Sequence, residues 1–158
     1  MKVVAWRSRL PAGSARNIAW SNSSGEYVMC IDSDDVLAGP DVLQRVLDGL
    51  DGKDFYACSF ISRAAGKART LKVASAEEAA CIPVACWTKI VKRELWVNLP
   101  PYMPEDVWPH FMLVDRCRTF GCFEFPVIDY DDTPENKGAM SRTFDWLLDN
   151  PTNLLELA

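Results

Sequence analysis

The chain has a single histidine, and its six cysteines include no CxxC pair. That histidine, His110, lies one helical turn after Asp106, a spacing that reads as a partly exposed helix residue rather than as a member of a Ser/His/Asp triad. No uninterrupted apolar run approaches the roughly 20 residues that a membrane-spanning helix requires. The first residues, Met-Lys-Val-Val-Ala-Trp-Arg-Ser-Arg, lack the apolar core of a signal peptide. A basic excess is absent as well. The 17 Lys and Arg stand against 22 Asp and Glu, giving a net charge of -5 and a pI of about 4.9, which argues against a nucleic-acid grip built on a basic stripe. No repeat, low-complexity tract or charge block marks a linker. These absences leave one soluble domain, with the cytoplasm as its expected location.

The 158 residues present are enough for one compact core, and 49% hydrophobic with 25% charged residues is a globular balance. The cysteines, Cys30, Cys58, Cys81, Cys86, Cys117 and Cys122, admit two readings. Reduced, buried thiols that behave as small hydrophobes fit a chain without a disulfide framework. A zinc site would instead join the CxxxxC pairs Cys81/Cys86 and Cys117/Cys122, whose gap is wider than zinc ligands usually show.

Hydrophobic patterning predicts strands at Lys2 to Trp6, Tyr27 to Ile31, Phe55 to Ser62, Ala68 to Val73, Phe120 to Phe125 and Val127 to Tyr130. Helices are expected from Ala12 to Ser24, closed by Gly25, and from Pro40 to Leu50, with Val42, Leu43, Val46, Leu47 and Leu50 on one face. Ser75-Ala-Glu-Glu has the form of a capping box. Further helices are expected from about Pro104 towards Cys117 and near Arg142 to Asp149. Strand and helix alternate at the front and mix behind, the pattern of an α/β sandwich on a mixed sheet.

The most informative stretch is Asp32-Ser33-Asp34-Asp35, delivered by the apolar run Tyr27 to Ile31. Three carboxylates in four residues repel one another, and the end of a buried strand is where ligands of open α/β sheets usually sit. A hard divalent cation, Mg²⁺ or Mn²⁺, would relieve that repulsion and neutralise a diphosphate. The plainer alternative is a solvated turn with an Asp capping the next helix.

The runs Gly13-Ser-Ala-Arg16-Asn17-Ile-Ala19, Ser24-Gly-Glu-Tyr27-Val28 and Ile31-Asp32-Ser-Asp34-Asp35-Val-Leu37 together resemble the signature of family 2 glycosyltransferases, which have the GT-A fold. Pro83 to Leu95 resembles that family's acceptor-side segment, and Pro104-Glu105-Asp106-Val107-Trp108 its Glu-Asp motif. The resemblance implies a GT-A-like three-layer sandwich around a mixed, mainly parallel sheet, truncated at the N-terminus. Residues 1–38 would be a remnant of the nucleotide-binding half with the DxD motif, and residues 39–158 the acceptor-side half.

The implied activity moves a sugar from a nucleotide-sugar donor, a UDP-sugar first of all, to the hydroxyl of a carbohydrate or other acceptor. Asp32 and Asp34 match the DxD pair, the first towards the ribose and the second towards a Mn²⁺ or Mg²⁺ ion, with Asp35 orienting them. Arg16 could approach phosphate or the DxD carboxylates, and a purely structural ion pair is its alternative. Asp106 matches the catalytic base, with Glu105 beside it; helix N-terminal acids favoured by the macrodipole are the plainer reading of both. Lys89 matches a family lysine but reads by default as a solvated surface residue. Trp87, Trp96, Tyr102 and Trp108 could stack on sugars, although core packing is the commoner fate.

The departure from the family is at the front, where two β-α units that bind uracil and ribose have no counterpart. An exposed sheet edge at Lys2 to Trp6 is therefore expected, covered by a second copy or a partner chain, the alternative being a sheet rebuilt smaller. The alternative to an enzyme is a catalytically inactive GT-A-derived binding or assembly subunit.

Overall fold

The computed structural model describes residues 10–63, 69–71, 74–75, 78–79, 88–99, 107–131 and 133. The strand expected at Lys2 to Trp6 and the helix expected near Arg142 to Asp149 lie outside the described residues. Along the chain come α1 (Ala12–Ser21), β1 (Tyr27–Met29), β2 (Val36–Leu37), α2 (Val42–Gly49), β3 (Phe55–Ser62), β4 (Arg69–Leu71), β5 (Lys89–Lys92), a 3₁₀ turn at Arg93–Leu95, α3 (Val107–Arg116) and β6 (Phe120–Tyr130). No helix among the described residues is long and apolar enough to cross a membrane.

The strands form one sheet in the order β1-β5-β3-β6-β2, with β4 beside β3. The sheet is mixed as expected, but the expected parallel majority is not found among the described strands. Only β3 and β6 pair in parallel; the other four pairings are antiparallel. Two local causes account for this. β3 turns back into β4 as a hairpin, which forces opposite directions, and β5 enters between β1 and β3 running against both. β1, β3 and β6 still share one direction, so their C-terminal ends lie on one edge of the sheet.

Period-two alternation sends side chains to both faces, and helices cover each face, giving three layers. Phe55 and Ala57 of β3, Val91 of β5 and Phe120 and Cys122 of β6 pack with Leu113 of α3 and Trp20 of α1. Tyr56 and Cys58, Ile90, and Phe123, Val127 and Ile128 turn the other way, against Val42 and Val46 of α2. α2 begins at Val42 after an Asp41 cap, not at Pro40, because residues 38–41 are a turn. Its inward stripe is narrower than expected: Leu43 and Leu47 are 50% and 62% exposed. α1 stops at Ser21 rather than Ser24. Ser21, Asn22 and Ser23 side chains bond carbonyls of its last turn, so Gly25 is not used as a left-handed cap.

The two strands expected around Pro126 are one. β6 runs through the proline with its register shifted against β3 between Cys58 and Phe60, and a residue lacking an N–H is tolerated at such an irregularity. The serine half of the capping box is present, the Glu78 amide donating to Ser75 Oγ at 3.1 Å, while the Glu78 carboxylate accepts the amide of the residue preceding the serine, Ala74, at 2.7 Å.

Candidate donor and metal site

β1 leads through Cys30 and Ile31 to Asp32, where the Asp35 amide donates to the Asp32 carbonyl at 3.2 Å and closes a turn. The turn gathers the three side chains: carboxylate oxygens of Asp32, Asp34 and Asp35 all lie within 4.8 Å of one another. Asp34 is exposed, Asp32 half-buried, and Asp35 only 8% exposed. The cluster stands at the edge formed by the C-terminal ends of β1, β3 and β6. The loop that carries it runs from β1, at one end of the strand order, to β2 at the other.

Each acid has a different setting. Asp32 receives the guanidinium of Arg16 from α1, Nη2 to Oδ1 at 2.5 Å. Asp35 accepts the backbone amide of Asp131, just past β6, at 3.2 Å through Oδ1, while its buried Oδ2 has no hydrogen-bond partner among the described residues. Burial chiefly, with the charges of Asp32 and Asp34 adding to it, pushes the Asp35 carboxyl up to about 6 against the opposing effect of the Asp131 amide. An orphaned buried oxygen beside two converging carboxylates is an oxygen-rich donor set suited to Mg²⁺ or Mn²⁺. Among the described residues this is the one group of acids, histidines or cysteines so arranged.

Asn17, next to Arg16, faces elsewhere. Its Nδ2 donates to the Leu99 carbonyl and its Oδ1 accepts the Leu99 amide, both at 2.8 Å. The adjacent Arg16 and Asn17 thus divide two tasks, one holding the acidic turn and the other tying α1 to the segment after β5.

Glu105 and Asp106 lie outside the described residues; α3 begins at the next residue, Val107. Trp87 and Tyr102 are also outside them, as are Cys81 and Cys86 and hence half of the zinc reading. Of the described cysteines, burial pushes Cys58 up to about 12 and Cys117 up to about 11, so both remain neutral core residues. Trp96 is core, at 6% exposed. Lys89 is not the solvated lysine expected. It is 4% exposed at the start of β5, with Nζ 3.4 Å from the Thr88 hydroxyl.

Sequence reasoning also missed Asp131, which reaches the cluster through its amide, and the Arg63–Asp129 pair at the ends of β3 and β6. Their signal was a second acidic run, Asp129 to Asp132, after a strand.

The sequence profile of Glycosyl transferase family 2 matches residues 1–118. The chain belongs to that family. Among solved structures, Staphylococcus aureus TarS 1-349 in complex with UDP-GlcNAc superposes with a TM-score of 0.69 at 17% identity, covering 83% of this chain and 42% of that one. A second structure of TarS 1-349 gives 0.62 at 17% identity, covering 75% and 40%. The likeness shows a shared GT-A-like fold, and the chain spans less than half the length of these relatives. No curated protein matches the chain.

Proposed function

We propose that this glycosyltransferase-family chain transfers a sugar from a UDP-sugar to an acceptor hydroxyl, with a divalent cation at Asp32, Asp34 and Asp35 and a carboxylate base at Asp106. The observation that carries the proposal is the convergence of those three carboxylates at the ligand-binding edge of the sheet, one clamped by Arg16 and one buried with an oxygen to spare. A cation bound there would offset the negative charge that grows on the departing nucleoside diphosphate.

The chain's own residues prepare that place. Arg16 fixes the Asp32 carboxylate, leaving its second oxygen for a ribose hydroxyl. The Asp131 amide holds Asp35 by Oδ1, and Oδ2 accepts no hydrogen bond from the described residues. Asp106, with Glu105 preceding it, would take the proton from the acceptor hydroxyl as that oxygen attacks the anomeric carbon. UDP is the nucleotide of choice because the family resemblance implies it and the TarS complex holds UDP-GlcNAc.

The test is UDP release from UDP-GlcNAc in the presence of Mn²⁺. Asp106→Asn keeps size and hydrogen bonding but removes proton acceptance, so turnover should fall by about 10² or more with donor affinity little changed. Unchanged turnover in that variant would remove Asp106 from the mechanism. Donor binding with no turnover under any acceptor would favour the non-catalytic binding subunit.

A further inference from the structure

Among the described residues, Asp35 is seated by a single backbone group. Its Oδ1 accepts the Asp131 amide at 3.2 Å, and its buried Oδ2 accepts no hydrogen bond. A side-chain donor can follow a displaced carboxylate by changing rotamer, but a backbone amide moves only with its own strand. The placement of Asp35 is therefore as firm as the placement of Asp131.

Asp131 stands where a strand ordinarily frays. The last rung between β3 and β6 is Ser62 to Tyr130, and the last between β2 and β6 is Val36 to Asp129, so Asp131 is past both ladders. Backbone beyond the final rung opens at little cost unless other groups hold it. Two anchors do so. On the near side, the Arg63 amide donates to the Tyr130 carbonyl at 3.3 Å, and the Arg63 guanidinium donates to both oxygens of Asp129, Nε to Oδ1 at 2.6 Å and Nη2 to Oδ2. On the far side, Asp131 Oδ1 accepts the Thr133 amide at 3.2 Å and the Thr133 hydroxyl at 2.7 Å. The amide that seats Asp35 lies between them.

We infer that Arg63, acting through Asp129, and Thr133, acting through Asp131, are positioning residues of the cation site: they hold the end of β6 so that the Asp131 amide seats Asp35 beside Asp32 and Asp34. This role rests on the cation reading above and deepens it. The Arg63 side chain is 49% exposed, and ion pairs so open to water add little to global stability. A guanidinium fork on a carboxylate nevertheless fixes direction as well as distance. Residues that orient the ligands of a metal from outside are worth about tenfold or more in affinity.

Calorimetric titration of the full chain with UDP in the presence of Mn²⁺ tests the role. Charge alone would move two variants in opposite directions, because Arg63→Ala removes a cation near the site and Asp129→Ala removes an anion. Loss of the clamp moves both the same way, so each should raise Kd by about tenfold. Arg63→Lys, which keeps the charge and one donor group, should recover part of the loss. Lys53→Ala, which breaks the exposed pair with Asp51 ahead of β3, should leave Kd unchanged. The ligand-free Tm of Arg63→Ala should stay close to that of the wild type.

A fall in ligand-free Tm with an unchanged Kd would make the pair merely structural and overturn the inference, as would opposite shifts of Kd in the two variants. If either variant does not fold, Thr133→Val decides. It removes the hydroxyl anchor on the far side and should also raise Kd, and an unaltered Kd there overturns the inference. A wild type that binds no UDP with Mn²⁺ overturns the cation reading and this role with it. A wild type that binds, beside clamp variants that bind equally well, overturns the role alone.

Discussion

Asn17 shows how much one side chain can hold. Its amide satisfies both the N–H and the C=O of Leu99, a residue only 3% exposed, across 82 positions of sequence. Asn17→Ala would leave two buried backbone groups without partners and should cost about 2–3 kcal/mol, read as a lower urea midpoint at unchanged m-value. Loss below about 0.5 kcal/mol would mean that water replaces the amide. The pairing of Arg with Asn was visible in the sequence, but not that the two residues point at different targets. An identity and a spacing name the residues; which atoms they meet depends on where the distant Leu99 is brought by the fold. Lys89 makes the same point in reverse. A lysine reads as surface until a strand buries it beside a threonine that is itself fully buried.

At the scale of elements, patterning located β3 to the residue, because eight apolar or small residues between turn signals leave few alternatives. β5 was not legible. Two lysines flank only Ile90 and Val91, and the strand exists because Lys92 reaches Asp54 at 2.9 Å while its neighbours fill the gap between β1 and β3. α2 was legible in position, but its stripe was read too wide. Leu43 and Leu47 fall just off the face where Val42 and Val46 meet the sheet, and no periodicity shows how broad that facing surface is.

The contact between β3 and β6 depends on a residue with no side chain. A Cβ at Gly121 would lie 2.8 Å from the Tyr56 ring, which is itself stacked on Phe123 with centroids 5.3 Å apart. Gly121→Ala should therefore destabilise by about 1–3 kcal/mol, measurable as a fall in Tm, despite alanine's lower unfolded-state entropy. A neutral or stabilising outcome would mean that Tyr56 can move without cost.

Across the whole molecule, the two edges of the sheet have opposite characters. The C-terminal edge gathers carboxylates that repel, and the opposite edge is tied down by a satisfied one. Asp54 accepts Lys92 Nζ at 2.9 Å and the amides of Arg118 and Thr119 at 2.9 and 3.2 Å, joining β3, β5 and the start of β6. The Lys92 ammonium, followed by the amide bonds, holds this carboxyl down to about 2, below its ordinary 3.8. A carboxyl depressed in the folded state contributes stability that is fully present above its unfolded value and is lost as pH falls through the folded one. Denaturation midpoints should thus decline between about pH 4 and pH 2, and Asp54→Asn should flatten that decline. A wild-type slope preserved in the variant would assign the acid sensitivity to other groups.

The fold class was legible because the acidic run, the Arg-Asn pair and the apolar strand occur in a family's order. The parallel majority was not, since strand direction is set by hairpins and insertions that a linear pattern does not carry. The central claim concerns the acidic turn, and one comparison addresses it directly: thermal unfolding with Mn²⁺ and UDP for the wild type and for Asp34→Ala. Selective ligand binding to the folded chain raises stability by RT ln(1 + [L]/Kd), about 2.7 kcal/mol at a hundredfold excess over Kd. The wild type should show a rise in Tm that requires both ligands together, and Asp34→Ala should lose it while its ligand-free Tm stays equal or climbs slightly, one repelling charge having gone. A wild type that ignores Mn²⁺ and UDP, or a variant that retains the full rise, would contradict the account.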